Sequence, residues 1–104
     1  MGLLNEPPFR IITTDEFERV LNNVRSKHRV PHELLDLWRS LAEPELKEYG
    51  QYRGMDEREL GGYIELVRKV TKQSNSQYIS TVDKFHEELK KALEKSRYGS
   101  TSFF

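Results

Sequence analysis

Apolar residues recur every three to four positions along most of this chain, and nowhere do they alternate with polar ones for long enough to suggest a sheet. In TTDEFERVLNNVRSKH, Phe17, Val20, Leu21, Val24 and His28 fall on one side of a helix, which predicts an element over about 14–28. The residues also mark its start. Thr13 as N-cap, with Glu16 three positions on, makes a capping box, and Asp15 and Glu16 lie at the positive end of the helix dipole. VPHELLDLWRSLA predicts a second helix, 32–48, with Pro31 in its first turn. Leu34, Leu37, Trp38 and Leu41 make one face, and Leu35 and Ala42 widen it, so this helix is expected at the centre, touching neighbours on more than one side. Pro44 is expected to open a further turn or two that Gly50 closes, with QYRGM a loop.

Asp56 and Glu59 repeat the capping pattern ahead of a third helix, 57–73. Its apolar side gathers Leu60, Ile64, Val67 and Thr71, extended by Tyr63, Leu66 and Val70. SNSQ reads as a turn, with Ser74 or Ser76 as the next N-cap. The fourth helix, about 77–97, carries Tyr78, Val82, Phe85, Leu89, Ala92 and Leu93 as a stripe beneath a coat of mixed charge, and Gly99 is expected to end it. Ahead of these elements, Pro7-Pro8 disfavours helix and FRII suits an extended segment packed on the body. The fold class is therefore all-α, a single domain over 1–104 with an arm at 1–12, a bundle of about four helices at 13–98 and a tail at 99–104. The expected core is Phe17, Val20, Leu21, Val24, Leu34, Trp38, Leu41, Ile64, Val67, Val82, Phe85 and Leu89.

One detail sits badly with this pattern. Gly61 and Gly62 lie inside the third helix, on its polar side beside Glu65, Arg68 and Lys69, although an interior glycine costs roughly 1 kcal/mol relative to alanine. Three readings account for them: a break that ends a short first turn and restarts the helix near Tyr63, a continuous helix with weakened first turns, or a bare backbone that a partner chain or ligand can approach.

Composition narrows the function classes. With 17 basic and 17 acidic side chains the net charge is zero, which gives no overall pull towards nucleic acid or an anionic membrane. Cysteine is absent, so disulfides, thiolate nucleophiles and thiolate metal sites are excluded, and a cytoplasmic setting is expected. MGLLNEPPF has no secretory pattern, Glu6 stands where a myristoylation site wants Ser or Thr, and no apolar run approaches a membrane span.

Candidate chemistry is sparse. His28 and His32 have helical spacing for two ligands, but Pro31 separates them, and His86 in HEELKKAL lacks the second histidine of a zinc protease. No Gly-rich phosphate loop or nucleophile turn is present. Asp15 with Arg19, Glu43 with Lys47, Glu65 with Lys69 and Glu87 with Lys91 have the spacing of helix-supporting ion pairs. A helix-turn-helix fails because Glu65 stands where its tight turn wants glycine. The expectation is a protein without catalysis, cofactor or metal.

Interaction has better material. Leu3, Leu4 and Phe9 near the start, and Phe103 and Phe104 at the end, are bulky apolar groups that must dock somewhere, and Tyr49 and Tyr52 have the amphipathic rings enriched at interfaces. The expected function is an interaction or assembly protein that binds another protein or itself through Phe9, Tyr49, Tyr52, Gly61, Gly62, Phe103 and Phe104, with no membrane partner. The alternative is a nucleic-acid binder using Arg68, Lys69 and Lys72 with Arg25, Lys27 and Arg29, which requires the two groups to be neighbours in space.

Overall fold

The computed structural model describes residues 11–48, 51–52 and 54–101, with side chains over 11–44 and 54–95. A two-residue strand β1 (Ile11–Ile12) leads into α1 (Thr14–His28), followed by α2 (His32–Leu46). Three further two-residue strands, β2 (Lys47–Glu48), β3 (Gln51–Tyr52) and β4 (Met55–Asp56), precede α3 (Glu57–Ser74). A turn of 3₁₀ helix at Ser76–Tyr78 then opens α4 (Ile79–Thr101). The four helices form an all-α bundle in which α1 packs on α2 and α4, and α3 packs on α2 and α4. Arg39 of α2 reaches Glu18 of α1, and Arg68 of α3 reaches Asp83 of α4. The short connections and these contacts make α2 antiparallel to α1 and α4 antiparallel to α3, and the pairing of β1 with β4 sets the starts of α1 and α3 side by side, so α1 and α3 run the same way.

Both predicted capping boxes are formed. The Glu16 N–H donates to Thr13 Oγ1 at 3.2 Å while the Thr13 N–H donates to Glu16 Oε1 at 3.1 Å. Asp56 and Glu59 exchange the same two bonds at 2.8 and 3.0 Å. Each pair satisfies N–H groups that the first helical turn leaves without a carbonyl.

The core is centred on four aromatic rings, one from each helix. Trp38 stacks on Phe85 with centroids 5.0 Å apart, and Phe17 meets Phe85 and Tyr63 edge-on at 6.1 and 5.7 Å. The polar atoms of this cluster are paired, as burial demands. The Trp38 indole N–H donates to Thr71 Oγ1 at 3.0 Å, and the Tyr63 hydroxyl donates to the Trp38 carbonyl at 2.6 Å. Every residue of the expected core is buried except Leu41, which is half-buried against it. Ile12 and Met55, absent from that expectation, are fully enclosed.

These two residues belong to the part of the fold that helical periodicity does not describe. β1 pairs antiparallel with β4, Ile11 opposite Asp56 and Ile12 opposite Met55, while β2 and β3 form a separate hairpin. QYRGM is thus not a plain loop, and α2 stops at Leu46 because its chain turns into that hairpin. Pro44 lies within α2 instead of opening a new turn; the Ser40 carbonyl it leaves without a donor belongs to an exposed residue that water can reach. Gly50 lies outside the described residues.

Other expectations change as well. α3 is continuous through Gly61 and Gly62, which rules out a break there. α4 passes through Gly99 to Thr101, since glycine permits a left-handed cap without imposing one. Neither Ser74 nor Ser76 caps the next element: the Ser74 hydroxyl donates back to the Val70 carbonyl at 3.0 Å, and Asn75 occupies the cap position. His28 is exposed, because the chain reverses at Arg29 and Val30 takes the buried place instead. Ion pairs at Arg39 and Arg68 join different helices, and none of Asp15 with Arg19, Glu65 with Lys69 or Glu87 with Lys91 is among the pairs of the described residues.

Candidate interaction face

The contacts of Arg39 and Tyr63 fix which flanks of α2 and α3 adjoin. On α2, Arg39 points to α1, bonding both Glu18 carboxylate oxygens at 2.8 and 3.0 Å, so Leu37 and Leu41 on the opposite flank border α3. On α3, Arg68 points to Asp83 of α4 at 2.6 Å, whereas Tyr63 points to Trp38 of α2. Leu66 and Val70 share that second flank. The outer edge of the α2–α3 contact therefore carries Leu37, Leu41, Leu66 and Val70 in one strip.

Leu66 is the notable member, at 42% exposed a large hydrophobic residue open to solvent. Its helical position alone assigns it to the apolar side, but α2 does not close over it. One turn earlier Gly62 is exposed too, and a Cβ built on either Gly61 or Gly62 would meet nothing within 4 Å. No atom of the described residues needs the space that these glycines leave. Such a surface can bury apolar area and admit a close backbone approach, which is the physics of association.

Two recesses flank α4. One of about 390 Å³ lies between α1 and α4 over Val20 and Ala92, with Arg19, Lys91 and Lys95 set against Glu16 and Glu88. The other, about 270 Å³, lies between α3 and α4 where Gly61 faces His86 and Lys90. Partial burial, reinforced by Lys90 and Arg68 and opposed by Asp83 and Glu87, holds the His86 pKa below its ordinary 6.5.

The basic residues are only partly available to a phosphate. Arg25, Lys27, Arg29, Lys69 and Lys72 are exposed, and because α1 and α3 run the same way both groups lie at one end of the bundle. Arg68, however, is engaged by Asp83, and α2 and α4 begin at that end with Glu33 and Asp83 among their first residues. His28 and His32 are both exposed, with His32 Nε2 3.4 Å from Asp36. Among the described residues no group of three or more potential metal ligands is assembled, and no helix is long and apolar enough to cross a membrane.

Of the residues singled out for partner binding, Gly61 and Gly62 lie on the surface of α3. Phe9, Tyr49, Phe103 and Phe104 lie outside the described residues, as does the side chain of Tyr52. The strip beside Gly62 was not singled out in advance. Its signal was present in apolar arcs on both helices wider than one buried face requires. Neither a protein-family model, nor a curated protein, nor a solved structure matches the chain.

Proposed function

We propose that this protein acts by binding another polypeptide, as a non-catalytic interaction or assembly factor, through the outer α2–α3 face. The observation that carries this reading is the exposed Leu66 one turn from the bare backbone of Gly62. An interior glycine costs roughly 1 kcal/mol relative to alanine, and no contact among the described residues offsets that cost here. A partner that needs the space would. The absence of cysteine suits a cytoplasmic setting for such a role.

The test is site-directed crosslinking in the native host, with a photoreactive side chain in place of Leu66 and, as control, in place of exposed Glu87 on α4. Adducts with a polypeptide at position 66 and none at 87 are expected; no adduct at 66 would remove the reading. A nucleic-acid function is favoured by one observation, the basic groups of α1 and α3 sharing one end. Titration with duplex and single-stranded nucleic acid at two salt concentrations decides it. Micromolar, steeply salt-sensitive binding abolished by Arg25→Glu with Lys69→Glu would put that reading first.

A further inference from the structure

We infer that the N-terminal segment 1–10, which lies outside the described residues, straps itself to the bundle by placing the Arg10 guanidinium in the α3–α4 recess, between Glu57 and Glu94. The inference concerns a different face from α2–α3 and does not depend on the function proposed for that one.

The strand register brings the segment to the recess. Ile11 stands opposite Asp56 and Ile12 opposite Met55 in an antiparallel pair, so one more step of the same register would set Arg10 opposite Glu57, the first residue of α3. Glu57 lines the recess, and Arg10 is one Cα step of about 3.8 Å from Ile11. Direction follows from alternation. Ile12 is fully buried and β1 packs on α4, and in an extended chain Arg10 shares the side of Ile12, the side on which α4 lies.

The recess suits an arginine. Its volume is about 270 Å³, with Leu60 and Leu93 as an apolar floor for the aliphatic stem and no side chain at Gly61 to obstruct the approach. Two acids, Glu57 and Glu94, against one base, Lys90, leave it with one net negative charge while His86 is neutral, and one guanidinium cancels that charge. Lys90 does not do so through Glu94: Glu94 makes none of the ion pairs of the described residues, and a lysine four positions ahead of a glutamate has the less favourable order. The planar fork of arginine can bridge carboxylates on two helices, tying the start of α3 to the second half of α4.

His86 makes the strap sensitive to pH. Arg68 and Lys90 already oppose its imidazolium, Asp83 and Glu87 favour it, and Glu57 and Glu94 line the same recess. A docked Arg10 adds a further cation beside the ring. By reciprocity, the factor by which Arg10 weakens proton binding at His86 is the factor by which the protonated ring loosens the strap.

NMR titration of the histidine rings in the full chain tests this, at physiological ionic strength, where charges more than about 8 Å apart are largely screened. Arg10→Gln is expected to raise the proton affinity of His86 at least about twofold, a shift of about 0.3 pH units, and to leave His28 and His32 at the far end of the bundle unmoved. Arg19→Gln, an exposed change on α1 outside this recess, is the control and should move none of them. In a Glu94→Gln background, which removes one side of the clasp, Arg10→Gln should shift His86 by less than half as much. A His86 titration indifferent to Arg10→Gln overturns the inference, as does a shift undiminished by Glu94→Gln. Either result leaves the crosslinking test at position 66 to decide the α2–α3 reading separately.

Discussion

At Gly54 the backbone has φ +109°, and a Cβ there would overlap the Ile11 side chain and come within 2.8 Å of the Ile12 carbonyl oxygen. Both neighbours belong to β1, so the substitution would strain Gly54 and push away the strand beside it. Gly54→Ala is expected to cost at least about 2 kcal/mol, measured by urea denaturation; a loss below about 0.5 would mean that β1 can shift freely. A second residue-scale test concerns the Trp38 indole, fully buried with Thr71 as its acceptor. Thr71→Val keeps the shape and removes the acceptor, at an expected cost of about 1–3 kcal/mol. In a Trp38→Phe background the same change should cost much less, because no indole donor is left unpaired. Neither site was fully legible in the sequence. Thr71 could be placed on the apolar side of its helix by spacing, but its hydrogen-bond partner lies 33 residues away. Gly54 looked like ordinary loop composition, while the conspicuous Gly61-Gly62 pair stands in open space.

That pair defines the test at the scale of the element. Because α3 is continuous and both glycines point where nothing lies within 4 Å, Gly61→Ala with Gly62→Ala should stabilise the monomer by about 1–2 kcal/mol. Thermal unfolding at low protein concentration reads this directly, and destabilisation would show that one glycine has a close neighbour. The helices themselves were legible where local chemistry marks them. α1 matches its expected range because the Thr13 box fixes its start and its last buried residue, Val24, lies within a turn of its end. The α3 start was equally plain from Asp56 and Glu59. The strands were not, since β1 and β4 are two residues each and pair across more than forty positions, too short for any period to show. Leu66 illustrates the limit for the candidate site: spacing places it at the edge of the apolar arc, and only the position of α2 decides whether that edge is covered.

For the molecule as a whole, the balanced charge conceals one group whose ionisation opposes folding. His86 has a folded pKa below 6.5, first through partial burial and then through Lys90 and Arg68. Between that value and the unfolded value near 6.5 the unfolded chain binds more protons, so stability falls as pH drops below about 6.5 and levels off beneath the folded pKa. Melting temperatures taken between about pH 7.5 and 5 should drop further for the wild type than for His86→Gln. Equal slopes would mean that the α3–α4 recess hydrates the imidazolium as well as water does.

The four-ring centre also determines how the bundle comes apart. Trp38 is the only tryptophan of the chain, and it stacks on Phe85, which touches Phe17 and Tyr63. Each helix thus contributes one ring to a cluster that no pair of helices can complete, and removing any helix opens the surroundings of the same indole. Partial unfolding that spares this centre has no helix to lose. Indole fluorescence and helical circular dichroism should therefore trace one shared denaturation curve, with a single tryptophan reporting the cooperativity of the whole chain.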